Sequence, residues 1–294
     1  MGFIYPWSAV RNGLVPSPDV YRTLAEATTD ALHASPIVIA GSVFGSACRG
    51  DYTNRSDLDA FFVFPDELRA DARRLRRRLR EMAWRRHVVL NLRTHSLSEA
   101  GMVNEHCFGP SYAGTWDQLI EDGWMVGNPH DCYQVSSSPD VASEMERKMR
   151  RYSLRARLFR QRVEVALSRH GGFERLLERC HRANVRPAHT YVAIARMFLR
   201  WRDGSLCDES HSSVIRRAFY AVGFAPLRYI AAGIRELDQR YNVLLKETIE
   251  GRVSGAKYRQ QTKEIFLAIT EANVRLLEVA RQHLVRSTVA LSAA

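Results

Sequence analysis

Residues 36–64 read PIVIAGSVFGSACRGDYTNRSDLDAFFVF, and the fold is decided by how this stretch divides. The opening PIVIAGSVF is apolar and β-branched and reads as a strand ending at a glycine. The closing SDLDAFFVF alternates: Asp57, Asp59, Phe61 and Val63 share one face of a strand, and Leu58, Ala60, Phe62 and Phe64 share the other. Both aspartates therefore point the same way, just beyond a glycine-rich turn. As strand-end carboxylates they are expected to be exposed.

Working outward, Asp19 to Ala34 has helical spacing, and Pro65 stops the second strand. An arginine-rich segment follows, in which Leu68, Ala72, Leu75, Leu79 and Met82 recur at steps of four and three. That spacing defines one apolar helical stripe, with the arginines on the solvated face. HVVLNLRTHS (87–96) resumes strand character, with Val89, Asn91 and Arg93 on one face. The order strand, turn, strand, helix, strand predicts an α/β domain with a short mixed sheet over residues 1–134. QVSSSPD (134–140) reads as a linker. From 140 to 294 the pattern is helical almost throughout, and Met145, Met149, Tyr152, Ala156, Phe159 and Val163 form a stripe expected to be core. Further helices are expected over 173–183, 188–201, 214–222, 226–249 and 258–285, so the second domain is an all-α bundle.

Composition narrows the function classes. No stretch offers 18 consecutive apolar residues, and the first residues lack a basic region followed by an apolar run, so a cytoplasmic location is the expectation. The five cysteines are scattered with no C-x-x-C pair, which points to reduced thiols and away from a zinc-thiolate site. Lys plus Arg exceed Asp plus Glu by 43 to 32, a formal charge of +11, which favours polyanionic partners such as nucleotides or RNA.

The stretch contains two Gly-Ser pairs. A phosphate-holding turn needs a glycine so that backbone N–H groups can approach the anion, and a hydroxyl to donate to it. Gly41-Ser42 lies inside the apolar run, where its N–H groups are consumed by the sheet. Gly45-Ser46 sits where the strand ends, and SACR can form the first turn of a short helix.

Read from Gly45, the series Gly-Ser, Arg-Gly, Ser-Asp-Leu-Asp resembles the signature of the polymerase-β-like nucleotidyltransferase superfamily, in its minimal and antibiotic-modifying branches. The likeness spans about residues 37–64; LIEDGWMVGN (119–128) extends it more weakly, and YVAIARMFLRWRD (191–203) is similar only to the helical substrate domain. The resemblance implies transfer of a nucleoside monophosphate from an NTP such as ATP to an acceptor hydroxyl or phosphate, with pyrophosphate released. It implies that Asp57 and Asp59 are catalytic and hold Mg²⁺ or Mn²⁺. Gly45, Ser46, Arg49 and Ser56 would contact the nucleotide. The superfamily supplies a third carboxylate from a neighbouring strand, and the equivalent position here is Asn91, a weaker metal ligand. Glu99 and Glu105 are candidates to replace the missing acid.

Three functions remain open on the sequence: a nucleotidyltransferase acting on a small-molecule acceptor, one acting on RNA, and a nucleotide-binding regulatory protein with weakened turnover. Glu144, Glu146, Glu164 and Asp203 are the candidate general bases in the helical half, and spacing does not choose between them.

Overall fold

The computed structural model describes residues 2–50, 52–101, 123–128, 131–132, 141–203, 217–218 and 225–292. Contacts divide the chain into two compact units. One contains Gly2 and Leu14–Ser138; the other contains Phe3–Gly13 together with Pro139–Ala294. No described helix is long and apolar enough to cross a membrane.

The sheet unit begins with helix α2 (Pro18–His33), α1 (Trp7–Arg11) belonging to the other unit. Then follow β1 (Ala40–Phe44), the one-turn helix α3 (Ser46–Arg49), β2 (Leu58–Phe64), α4 (Arg69–Trp84), β3 (Leu90–Ser96), α5 (Leu97–Gly101) and β4 (Trp124–Val126). The sheet is small and mixed, in the order β3-β2-β1-β4, with β2 and β3 parallel and the other pairs antiparallel. The even residues of β2 behave as the alternation predicts. Leu58, Ala60, Phe62 and Phe64 join Val43, Leu90 and Leu92 in a core shared with Leu24 of α2 and Leu75 and Leu79 of α4. Asp59, Asn91 and Arg93 stand on the other face.

Two strands are shorter than the sequence suggests, each for a local reason. Val38 N–H donates back to Ser35 O, so residues 35–38 are a turn and β1 starts at Ala40. At β3, His87 is left-handed (φ 57°) and Val88 N–H bonds Ala83 O, so 87–88 cap α4.

The helical unit contains α6 (Val141–Leu167), α7 (Gly172–Arg182), α8 (Thr190–Asp203), α9 (Ala225–Ile249) and α10 (Gly255–Ser292). The helix expected over 214–222 lies largely outside the described residues. α10 packs along α9 and α6, and α7 packs on α6. The N-terminal segment is tied into this unit by a ring of buried hydrogen bonds. Tyr5 N–H donates to Tyr241 Oη at 2.7 Å, Tyr258 O–H donates to Tyr5 O at 2.8 Å, and the two tyrosine hydroxyls are 2.7 Å apart. The α6 stripe differs from expectation. Met149 and Val163 are core, but Tyr152, Ala156 and Phe159 are only half-buried.

Candidate functional site

The glycine that ends β1 explains the local chain path. Gly45 has φ 81° and ψ −148°, a region open essentially to glycine alone. Its carbonyl accepts both Cys48 N–H and Arg49 N–H at 3.2 Å, which starts α3, and Gly50 in the left-handed region (φ 74°) ends that single turn. Gly45 is also in close contact with β2: a Cβ built there would lie 3.0 Å from Asp59 Oδ2. The other Gly-Ser pair is absorbed by the sheet. Gly41 is in register with Phe62 and Val126, and the fully buried Ser42 donates its hydroxyl to Val43 O at 3.0 Å.

Asp59 occupies the junction of three strands' worth of geometry. Its Cα partners are Phe44 on β1 and Asn91 on β3. Asn91 Nδ2–H donates to Asp59 Oδ1 at 2.7 Å, while Oδ2 faces the glycine turn. The carboxylate is therefore held between the turn and β3. Asp57 precedes β2 by one residue and is only 3% exposed. This corrects the expectation of two solvent-exposed strand-end acids: Asp57 is buried and Asp59 is half-buried.

The loop leading to Asp57 is organised by its own side chains. Ser56 N–H donates to Thr53 O at 3.0 Å, and Thr53 N–H donates to Ser56 Oγ at 2.9 Å. The buried Tyr21 hydroxyl donates to Ser56 O at 2.9 Å. Ser56, singled out above for nucleotide contact, thus has its hydroxyl engaged in shaping residues 53–56. Ser46 opens α3 half-buried, and Arg49 closes it exposed; Asp51, its neighbour, lies outside the described residues.

Sequence reasoning passed over Arg55. It is 1% exposed, the largest fully buried side chain among the described residues, and its Nη2 donates to Gly2 O at 3.2 Å. The backbone packs closely there, since a Cβ on Gly2 would fall 2.1 Å from Arg55 O. Burying a guanidinium is costly without compensating partners, so its place two residues before a buried aspartate is a structural commitment. No spacing rule marks it, because an arginine before Ser-Asp reads as ordinary surface charge.

Glu99 does not reach this site. It accepts Ser96 N–H at 2.9 Å and Arg69 Nη1–H at 3.0 Å. Ser96 pairs with Phe64, whereas Asn91 pairs with Asp59, a separation of about 16 Å at the usual rise of a strand. The Ser96 amide and Arg69 hold the Glu99 carboxyl below its ordinary range. Glu105 lies outside the described residues. Beyond Asn91 on the same face stands His95, whose pKa is lowered chiefly by burial, with Arg93 adding to the effect and Glu99 opposing it.

Among the described residues no group of three or more His, Cys, Asp or Glu could hold a metal. The available set is two carboxylates and one amide. That is a poor all-protein cage but fits Mg²⁺, which binds through one or two carboxylates and completes its shell with water and substrate phosphates. Of the candidate bases, Glu146 pairs with Arg150 at 2.6 Å and Glu164 with Arg160 at 3.5 Å. The side chains of Glu144 and Asp203 lie outside the described residues.

Residues 17–101 match a family described as "Putative nucleotidyltransferase DUF294". The matched span runs from the residue capping α2 to the end of α5, and so includes β1, the glycine turn, β2 and β3. That span is similar to a nucleotidyltransferase domain, which suggests nucleotidyl transfer in general terms. No curated protein matches the chain.

Proposed function

We propose that the chain transfers a nucleoside monophosphate from an NTP to a hydroxyl of a small-molecule acceptor. The acceptor oxygen attacks the α-phosphorus, the bond from that phosphorus to the bridging oxygen breaks, pyrophosphate leaves, and the acceptor loses its hydroxyl proton. The observation that carries this reading is the contact between Gly45 and Asp59 Oδ2. A phosphate-accepting turn and a carboxylate are contiguous there, with no side chain between them.

Each residue has a physical task under this proposal. The absence of a side chain on Gly45 lets a phosphate approach the backbone N–H groups at the start of α3, with the Ser46 hydroxyl as a further donor. Arg49 offsets charge on the departing pyrophosphate. Asp57 and Asp59 would hold Mg²⁺ or Mn²⁺, with Asn91 beside them. Such an ion neutralises triphosphate charge and stabilises the leaving group. Asn91 orients Asp59 by holding Oδ1, leaving Oδ2 directed at the turn. Catalysis of this kind is mainly positioning and charge stabilisation.

One observation favours a second reading, a nucleotide-binding regulator with little turnover. Asn91 presents an N–H donor to Asp59, where an acid would add charge to a metal site. Labelled NTPs incubated with Mg²⁺ or Mn²⁺ and pooled hydroxylated acceptors, with a tRNA pool as a separate arm, distinguish the cases. Transfer to a small molecule that disappears in Asp59→Asn supports the proposal. Saturable NTP binding without pyrophosphate release establishes the regulator, and labelling of RNA alone shows that the acceptor class is wrong.

A further inference from the structure

The helical unit carries a groove lined by none of the residues given a task in the proposed transfer. Along one stripe of α6, Arg155, Leu158, Arg162 and Val165 follow at steps of three and four, so basic and aliphatic side chains alternate down a single helical face, and Arg169 stands in the turn just past the helix end. All five border two cavities, of about 530 and 440 Å³, that share Leu158, Phe159, Arg162 and Val185 and so run into one another. One cavity is walled by α7 through Arg175, Leu176 and Arg179. The other is walled by α10 through Thr270 and Leu277.

Two features separate this groove from an ordinary solvated helix surface. The first is exposed aliphatic area. Leu158 is 45% and Val165 49% exposed, and Leu154, one residue before the stripe, is 59% exposed. Water-facing leucine and valine in a row mark a surface built to be covered. The second is the way α6 distributes its ion pairs. Off the stripe, Arg150 pairs with Glu146, Arg157 with Glu278, and Arg160 with Glu164 and Glu271. Arg155 and Arg162 on the stripe, and Arg169 just past it, pair with no carboxylate among the described residues, nor does Arg179 across the groove, and no acid lines either cavity.

We infer that this groove receives an acidic amphipathic helix of a partner protein. Its apolar side chains would cover Leu158 and Val165, and its carboxylates would meet the flanking arginines. The groove-lining part of α6, from Tyr152 to Ala166, extends about 21 Å at the rise of an α-helix, a length that an elongated occupant of about 16 residues spans. A second copy of the chain would bring arginine against arginine. Single-stranded nucleic acid binds by stacking bases on exposed rings, and the exposed apolar side chains here are aliphatic.

The test uses the full chain and fluorescence anisotropy with a labelled synthetic peptide of about 16 residues, with leucine at i, i+3, i+4 and i+7 and glutamate elsewhere. Controls are a peptide of the same composition with the stripe scrambled, and poly(U). The expected result is saturable binding of the striped peptide, at least about tenfold tighter than the scrambled one and weakened about tenfold by Leu158→Glu or by Arg162→Glu with Arg169→Glu. These side chains are exposed, so an unchanged circular-dichroism spectrum establishes that the variants fold. NTP binding should be unaffected, because the groove and the glycine turn share no residue, and Asp59→Asn should leave peptide binding intact. Equal binding of the two peptides, no saturation by either, or poly(U) displacing the striped peptide would overturn the inference.

Discussion

Substituting alanine at two glycines of the same loop separates backbone strain from contact with the carboxylate. Gly45 and Gly50 bracket α3, both with positive φ, 81° and 74°. A Cβ on Gly50 meets nothing within 4 Å, so Gly50→Ala loses only the left-handed backbone preference, about 1 kcal/mol. At Gly45 two further penalties arise. The backbone lies where non-glycine residues are strained by about 1–3 kcal/mol. In addition, the methyl would stand 3.0 Å from Asp59 Oδ2, closer than carbon and oxygen rest. The carboxylate can yield only by moving toward β3, at the expense of its 2.7 Å bond from Asn91. Together these place Gly45→Ala about 3 kcal/mol below wild type, which is a melting midpoint about 12 °C lower for a unit of this size, against about 4 °C for Gly50→Ala.

The assay is thermal and urea unfolding of both single variants and of Gly45→Ala in an Asp59→Ala background. In that background the new methyl meets the Asp59 Cβ position at 3.6 Å, an ordinary contact, so the cost of Gly45→Ala should fall by about 1 kcal/mol, a coupling typical of touching residues. Gly45→Ala should also abolish NTP binding, whereas Gly50→Ala should retain it. If Gly45→Ala costs no more than Gly50→Ala, or costs the same with and without the Asp59 carboxylate, the turn and the aspartate are not in contact and the site as described is wrong.

Asn91→Asp brings a second carboxylate against Asp59 Oδ1; without divalent cation it should lower stability by about 1–2 kcal/mol through like-charge repulsion, and Mg²⁺ or Mn²⁺ should raise its melting midpoint more than that of wild type. An equal cation response in the two proteins counts against a metal between these strands. Tyr241→Phe removes the acceptor of the buried Tyr5 N–H and one member of the hydroxyl pair, which should cost about 1–3 kcal/mol in urea unfolding, and a neutral effect would mean the N-terminal segment is not held by this ring. Burial lowers the His95 pKa, so the folded chain resists the proton that the unfolded chain accepts. Stability is therefore fully present above the ordinary value of 6.5 and declines as the pH falls below it. His95→Asn should flatten the dependence of the melting midpoint between about pH 7 and pH 5, and an unchanged slope would place the acid sensitivity elsewhere.

The period-two pattern of residues 57–64 carried most of what was legible, because a strand with one buried face leaves an unambiguous trace: Leu58, Ala60, Phe62 and Phe64 reach the core together. The position of Asn91 came instead from the family resemblance, and the parallel register of β2 and β3 sets it beside Asp59. Periodicity reports direction, however, and not depth. Asp57 has the phase of Asp59, yet one is buried and the other half-buried, because the loop at 53–56 and Gly2 pack around Arg55. That packing joins positions 53 apart in the chain, which no local pattern can encode. Glu99 illustrates the complementary error. Proximity in sequence to β3 made it a plausible third acid, whereas a strand rises about 3.3 Å per residue, so five residues past Asn91 carry the chain to the other end of the sheet. The apolar stripe of α6 departs from expectation for a related reason: a four-three stripe shows that a face is apolar, not that the protein covers it. The half-buried Tyr152, Ala156 and Phe159 lie between Met149 and Val163, which are core. The neighbouring arginines, counted in the sequence only as net charge, give that half-buried middle its chemical character.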